Sequence, residues 1–226
     1  MNFTYIYETF FKAFAGVPVT LGIMVVSILL SFLPALFLAL GRIYHWRGVT
    51  HFSILYLTFI RSTPLILLIL FFYSLLPSVL NSLLQSTSIN VFEIPPIFYA
   101  FIIFSLITTA SLSEIIRSAI LTVNQGQLEA ALSIGLSHLQ AYWRIVFPQA
   151  LKSALPNLCN LVINLVKGTS LVFVMTVKDI TAIAKIEAAY GYQYFESYFV
   201  IFIIYILICG IIQLVFTWLE KRVTIP

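Results

Sequence analysis

Charged residues are scarce in this chain of 226 amino acids, because Asp, Glu, Lys and Arg together make up 9%. Soluble globular domains carry about 25%. Hydrophobic residues account for 61%, and the mean hydropathy is +1.05. A folded chain of this composition could not cover its surface with groups that water solvates. The composition therefore excludes a cytosolic enzyme and a nucleic-acid binder, and it indicates a protein that lies mostly in lipid.

Cysteine is also rare, and both residues, Cys159 and Cys209, fall within apolar stretches. They give no basis for a disulfide framework, and we expect two small buried hydrophobic side chains. The three histidines are scattered, without the spacing of a metal site. The sequence also lacks a Gly-x-Ser-x-Gly elbow and a His-Glu-x-x-His pair. We therefore expect neither catalytic nor metal-binding residues.

Long segments without charge are the strongest pattern present. Four of them reach the ~20 residues that a helix needs to cross about 30 Å of hydrocarbon. These segments are 13–41, 62–92, 94–113 and 197–219. A fifth, about 155–177, is interpreted as equally apolar, although it holds Lys167 near its middle. Because backbone groups in lipid must bond internally, the sequence predicts an all-α integral membrane protein with about five transmembrane helices.

The cations predict an orientation for these spans. One side of the predicted membrane carries seven of them: Arg42, Arg47, Arg61, Arg144, Lys152, Lys221 and Arg222. The other side carries Lys12, Lys178 and Lys185. The positive-inside rule therefore places the amino terminus outside and the carboxyl terminus in the cytoplasm. Residues 1–16, which are rich in Phe and Tyr, are predicted to form an interfacial helix, and residues 17–222 the membrane domain.

The inner segment between the third and fourth spans, about 122–152, is too regular for a loop. Its apolar residues recur at helical spacing: Leu128, Leu132, Leu136, Leu139, Trp143, Val146 and Phe147. Gly135 predicts a sharp turn between two short helices, and Ser137 with Gln140 is a capping box for the second. Pro148 is predicted to end or bend that helix. The pattern alone fits amphipathic helices on the membrane surface and a docking element equally well.

Several motifs in this segment and outside it carry a resemblance. Glu129-Ala130-Ala131, Gly135 and Ile145-Val146-Phe147-Pro148 resemble the "EAA" signature of inner-membrane subunits of ATP-binding-cassette (ABC) importers. Within that group the chain resembles the polar amino acid permeases. The further matching stretches, in order, are 61–64, 113–117, 126–131, 148–150, 155–156 and 167–170. The resemblance extends over about 17–222, and its specificity lies in the joint order of the motifs.

The resemblance implies a type I ABC importer permease fold in a bacterial inner membrane and a set of partners. It assigns coupling to the ATPase to five residues: Glu129, Ala130, Ala131, Gly135 and Ser137. Because the sequence has no Gly-x-x-x-x-Gly-Lys-Ser/Thr loop, ATP and Mg²⁺ are expected on a separate ATPase subunit, and no cofactor on this chain. The other expected partners are a second permease subunit, an extracytoplasmic substrate-binding protein and membrane lipid, without nucleic acid.

Charges at membrane depth are costly and mark candidate path residues. Glu114 and Arg117 share one helix face and form either a structural salt bridge or part of the translocation path. Lys167 either bonds helix-end carbonyls between subunits or, with Thr169 and Ser170, faces the substrate where Gly168 loosens the helix.

The substrate class is suggested by one departure from the family pattern. Relatives often have Asp where this chain has Gly168, so the resemblance favours a zwitterionic amino acid, with cystine as one possibility, over a cationic one. The alternative function is an ATP-independent carrier or channel for small polar solutes. That class predicts broken helices in inverted repeats, which the sequence does not display, and it leaves 129–148 unexplained.

Overall fold

The computed structural model describes residues 2–84 and 90–223, and no strand occurs among them. The α-helices of this part of the chain are α1 Phe3–Phe14, α2 Val17–Ile43, α3 Arg47–Ser62, α4 Leu65–Leu83, α5 Pro96–Thr122, α6 Gln125–Ser133, α7 His138–Ala141, α8 Phe147–Thr169, α9 Ile180–Gly191 and α10 Tyr194–Arg222. Short 3₁₀ segments lie at Val91–Glu93 and Val172–Met175, and a π-helical segment, Tyr142–Val146, joins α7 to α8. The all-α prediction is confirmed.

Four helical stretches in the described residues are long and apolar enough to cross a membrane. They are Phe3–Ile43, Leu65–Leu83, Pro96–Thr122 and Tyr194–Arg222, and they overlap the four charge-free segments. The expectation that the fifth span is equally apolar is wrong. Helix α8 occupies its place, and its 23 residues are long enough. Lysines and asparagines within α8 lower its hydropathy.

Helix α5 lies at the centre of the fold and packs against α2, α3, α4 and α8. Its buried Ile103 and Phe104 belong to a core cluster that also contains Ile23 of α2, Ile69 of α4 and Leu165 of α8. The charge pattern did not predict α3. That helix turns Leu57 and Ile60 into a second apolar cluster with α2, α4 and α5, while its cations stay exposed. Central burial of α5 therefore fixes the positions of the helices around it.

Helix α1 packs on α9 and α10, which confirms a helix within the predicted amino-terminal segment. The Lys12 Nζ atom lies 2.8 Å from Glu187 Oε2, and the Tyr5 hydroxyl lies 2.7 Å from Ser197 Oγ. Gly16 allows the close approach that follows α1, because a Cβ there would lie 2.5 Å from the Ile180 amide nitrogen. The interfacial position of this segment stays a prediction.

Asp179 caps α9 from a buried position. One carboxylate oxygen accepts a 2.8 Å hydrogen bond from the Ala182 amide, and the other accepts a 3.3 Å bond from the Tyr205 hydroxyl. Burial raises the pKa of the Asp179 carboxyl above its ordinary value of 3.8, although these hydrogen bonds lower it. Protonation of this carboxyl is therefore easier in the folded chain than in the unfolded chain. The protonated Asp179 carboxyl contributes fully to the free energy of unfolding at a pH below its ordinary pKa. That contribution is lost as the pH rises through the pKa that the carboxyl has in the folded state.

We expect Asp179→Asn to equal or exceed the wild type in thermal stability at pH 7, because the amide oxygen keeps the cap without a desolvated charge. Asp179→Ala loses the cap and should lower the free energy of unfolding by about 1 kcal/mol. Melting temperatures in detergent at pH 5 and pH 7 measure both effects. Relative to the Asn variant, the wild type should have a higher melting temperature at pH 5 than it has at pH 7. An Asn variant less stable than the Ala variant at pH 7 would contradict this account.

Candidate functional site

A row of asparagines marks one face of α8. Asn157, Asn160 and Asn164 stand at helical positions i, i+3 and i+7, so they share a face, and all three are exposed. The opposite face buries Cys159 and Val166 against the rest of the fold. Side-chain amides are costly in contact with lipid tails. The asparagine face is therefore suited to an aqueous cavity or a protein partner.

Two cavities of about 240 and 190 Å³ lie against this face of α8. Both are lined by Ser111 of α5 and by Leu161 and Asn164 of α8, so they adjoin each other, and the two cavities together are here called the α8 polar path. Its polar residues are Arg61, Thr63, Thr108, Ser111, Glu114, Asn157, Asn160 and Asn164. The path carries one cation and one carboxylate at one end, amides along its length, and Gly168 at the other end.

Glu114 forms ion pairs with two arginines. Its Oε1 atom accepts from Arg117 Nη2 at 2.5 Å, and its Oε2 atom accepts from Arg42 Nη1 at 2.5 Å. Arg42 also donates to Ser113 Oγ at 3.2 Å and so links α2 to α5. The predicted contact between Glu114 and Arg117 is confirmed. Glu114 also lines the α8 polar path, whereas Arg117 lines neither of the two cavities.

The four residues predicted around the end of α8 have different environments. Helix α8 continues through Thr169, so Gly168 does not loosen it. The backbone changes to the tighter pattern, in which an amide bonds the carbonyl three residues earlier, only from Ser170 onward. Gly168 is buried and packs closely, because a Cβ there would lie 2.9 Å from Leu65 Cδ2. Thr169 is buried and donates to a carbonyl of its own helix at 2.6 Å, so its expected exposure to substrate is wrong. Lys167 is exposed, and the Ser170 hydroxyl donates to the Lys167 carbonyl at 2.7 Å.

The predicted turn and cap of the inner segment are both confirmed. Gly135 has a φ of +86° and follows α6 in a Schellman motif. The Leu136 amide donates to the Ala131 carbonyl at 3.2 Å, and the Gly135 amide donates to the Leu132 carbonyl at 3.0 Å. Ser137 then begins α7 with a complete capping box. The turn projects from the spanning helices as a compact, hydrogen-bonded corner.

The surface around this corner is apolar and exposed. Ile134 is 79% exposed, Leu139 68% and Trp143 62%. Glu129 and Ala130 are exposed as well, whereas Ala131 is buried. Exposed hydrophobic groups of this size mark contact surfaces for partners or lipid. The segment from Glu129 to Trp143 is here called the coupling corner.

Beyond the coupling corner the backbone stays helical as far as α8. The π-helical segment Tyr142–Val146 carries the chain into α8, and Pro148 lies in the first turn of α8 rather than ending the helix. The prediction that Pro148 ends or bends the helix missed this π segment. The Tyr142 hydroxyl accepts a 3.2 Å hydrogen bond from the Tyr44 hydroxyl at the end of α2. The coupling corner and α8 are therefore joined by continuous helical backbone.

Comparisons with known proteins agree with this geometry. The family described as "Binding-protein-dependent transport system inner membrane component" matches residues 5–225. The L-cystine transport system permease protein TcyL of Bacillus subtilis is 36% identical over 209 residues, which are 92% of this chain and 86% of that protein. The histidine/lysine/arginine/ornithine transport system permease protein HisM of Escherichia coli K12 is 34% identical over 210 residues, 92% of this chain and 87% of that protein. A solved amino acid ABC transporter structure, crystallised with histidines, has a TM-score of 0.81 at 29% identity and covers 98% of this chain and 99% of its own.

Proposed function

Because the chain belongs to the family of binding-protein-dependent transport system inner membrane components, we propose that its α8 polar path carries an amino acid through the bacterial inner membrane. The chain is the permease subunit of an ATP-driven amino acid importer. ATP is hydrolysed by a separate subunit, because this chain lacks a phosphate-binding loop. The further partners in this proposal are a second permease subunit and an extracytoplasmic binding protein.

The observation that carries the proposal is the pair of adjoining cavities against the asparagine face of α8, beside otherwise apolar helices. Arg61 offers a cation to a substrate carboxylate, and the asparagine amides offer both donors and acceptors. The negative charge of Glu114 is already compensated by Arg42 and Arg117, so the path suits a zwitterion better than a net cation. The absence of a carboxylate at Gly168 favours the same class, of which cystine is one member.

The mechanism requires a second subunit across the α8 polar path. The three asparagines are exposed on this chain, and a facing permease copy or close relative would enclose the substrate between two such surfaces. Alternating access then consists of opening this enclosure to one side of the membrane and closing it on the other. Lys167 and Ser170 stand near the Gly168 end, where they remain candidates for the substrate or for carbonyls of the partner subunit.

Coupling is proposed to run through the coupling corner. Small Ala130 beside exposed Glu129 permits close approach of the ATPase, while Gly135 and Ser137 keep the corner in one shape. Closure of two ATPase subunits around ATP would pull the corner and, through the continuous helical backbone, α8. In this proposal the corner and the carboxyl terminus lie in the cytoplasm and the amino terminus lies outside, with residues 17–222 as the working membrane domain.

The test is uptake by the reconstituted complex of permease, ATPase and binding protein, with cystine and arginine compared as substrates. Replacing Asn160 or Asn164 with Leu should lower uptake by roughly 10- to 150-fold, because one lost hydrogen bond to a charged group is worth ~1.5–3 kcal/mol. Asn81→Leu on α4 is the matched control, since it removes an amide that lines neither cavity of the α8 polar path. Cystine is expected to stimulate ATP hydrolysis and arginine is not.

Two results would contradict the proposal in different ways. Wild-type uptake by both asparagine variants would remove the α8 polar path as the route while leaving the importer function intact. Uptake by the permease alone without ATP would instead support the carrier class. Assembly of each variant with the ATPase, measured by size exclusion, separates a transport defect from a folding defect.

A further inference from the structure

A second, larger cavity lies away from the α8 polar path, in a groove between α2, α3 and α5. Its volume is about 680 Å³, within the ~300–1,000 Å³ typical of ligand sites. The lining includes Leu30, Pro34 and Phe37 of α2, Phe52 and Tyr56 of α3, and Leu106 of α5. Neighbouring Leu29, Leu33 and Leu55 are 68–72% exposed on the outer surface. This α2–α3–α5 groove therefore opens toward the hydrocarbon region.

The few polar side chains in the groove are already satisfied by the protein. The Tyr56 hydroxyl donates to the Leu106 carbonyl, Ser105 Oγ to the Phe101 carbonyl, and Thr109 Oγ1 to the Ser105 carbonyl at 2.8 Å. None of these hydroxyl hydrogens remains to recognise a polar ligand. The groove is thus suited to an alkyl chain.

One end of the groove lies near the start of α3, where a cation is placed. Arg47 is the first residue of α3, is exposed, and directly precedes the groove residue Gly48. The sequence contains no Asp or Glu between residues 13 and 92, so α3 has no carboxylate of its own to neutralise Arg47. An alkyl groove with a guanidinium group near one end is complementary to an anionic phospholipid.

We propose that the α2–α3–α5 groove binds an anionic phospholipid of the surrounding membrane, with one acyl chain along Phe52 and Tyr56 and the phosphate at Arg47. Trp46, whose ring lies 5.8 Å from that of Phe37, borders the same end of the groove at the level of the headgroups. The lipid would fill the space between α2 and α3 and stabilise their contact with α5. This inference is independent of the amino acid that the α8 polar path carries.

Gly48 gives a direct way to block the groove. A Cβ at Gly48 meets no atom within 4 Å, so Gly48→Leu places a branched side chain at a residue that lines the groove, with room for its Cβ and with a better helix former. Gly210→Leu on α10 is the matched control, because Gly210 is also helical, exposed and free of neighbours within 4 Å. Arg47→Gln removes the headgroup contact, and Lys221→Gln is its control.

The measurement is native mass spectrometry of the complete complex after exchange into equimolar phosphatidylglycerol and phosphatidylcholine with identical chains. The wild-type permease should retain phosphatidylglycerol with about fivefold preference, since one basic residue near the surface is worth ~1 kcal/mol. Arg47→Gln should remove the preference, Gly48→Leu should remove the bound lipid, and both controls should behave as the wild type. Equal retention of the two lipids by the wild type, or unchanged retention by Gly48→Leu, overturns the proposal. Loss of permease pairing in Gly48→Leu would assign the groove to a second copy of this chain instead.

Discussion

Glu114→Gln is expected to destabilise the folded chain by about 2–4 kcal/mol and to abolish uptake. The carboxylate lies between two guanidinium groups, and its side chain is 29% exposed while that of Arg42 is only 11% exposed. Removing it leaves Arg42 and Arg117 as uncompensated cations at membrane depth. Breaking one partner of a buried ion pair costs about 3–5 kcal/mol, and the partial exposure here reduces that figure.

The loss of stability is measured by thermal unfolding in detergent. The wild type, the two single variants Glu114→Gln and Arg42→Met, and the double variant form a double-mutant cycle. Arg42→Met combined with Glu114→Gln should recover much of the stability, because the unpaired guanidinium nearest the core is gone. Glu8→Gln is the control, since Glu8 is an exposed carboxylate on α1. A Glu114→Gln variant as stable as the wild type would mean that Arg42 reaches water without the carboxylate.

The same ion cluster shows what the sequence could and could not predict. Glu114 and Arg117 are three residues apart, so helical geometry alone predicts their contact. Arg42 precedes Glu114 by 72 residues, and only the packing of α2 on α5 brings them together. The sequence therefore predicted only the side of the membrane on which Arg42 lies, and it did not predict that Arg42 pairs with Glu114.

The polar face of α8 is encoded in the sequence by the spacing of three asparagines. The i, i+3, i+7 spacing of Asn157, Asn160 and Asn164 within an apolar stretch predicts a polar face from the sequence alone. Attention to charged residues directed the prediction to Lys167 and its neighbours instead. The burial of Thr169 and the contact of Gly168 with Leu65 could not be predicted, because they depend on how α4 and α5 pack against the end of α8.

The coupling corner was predicted best, because its devices are local. A capping box and a glycine after the last helical turn are formed by residues at most five positions apart, and their hydrogen bonds need no tertiary partner. What the sequence did not predict is the π-helical segment that joins α7 to α8. Its formation depends on the register between the corner and the membrane helix, which tertiary packing decides.

Gly135 is the residue of the coupling corner whose replacement should have the largest effect on coupling. Its φ of +86° is accessible to glycine, and a Cβ there would meet no atom within 4 Å. Substitutions therefore test backbone strain without a steric clash. Left-handed backbone costs other residues about 1–2 kcal/mol, Asn tolerates it best, and Pro cannot adopt it.

The expected order of ATP-driven uptake is wild type, Gly135→Asn, Gly135→Ala and Gly135→Pro, with a loss of about tenfold at Ala and no measurable uptake at Pro. Copurification of the ATPase should fall in the same order, while insertion of the permease in the membrane stays constant. Gly210→Ala on α10 is the control, since Gly210 has no positive φ and a Cβ there would meet no atom within 4 Å. If Gly135→Pro kept both its ATPase and its uptake, the corner would not be the coupling element. If all the variants bound the ATPase equally but lost uptake, the shape of the corner would govern the transmission of movement to α8 rather than the docking itself.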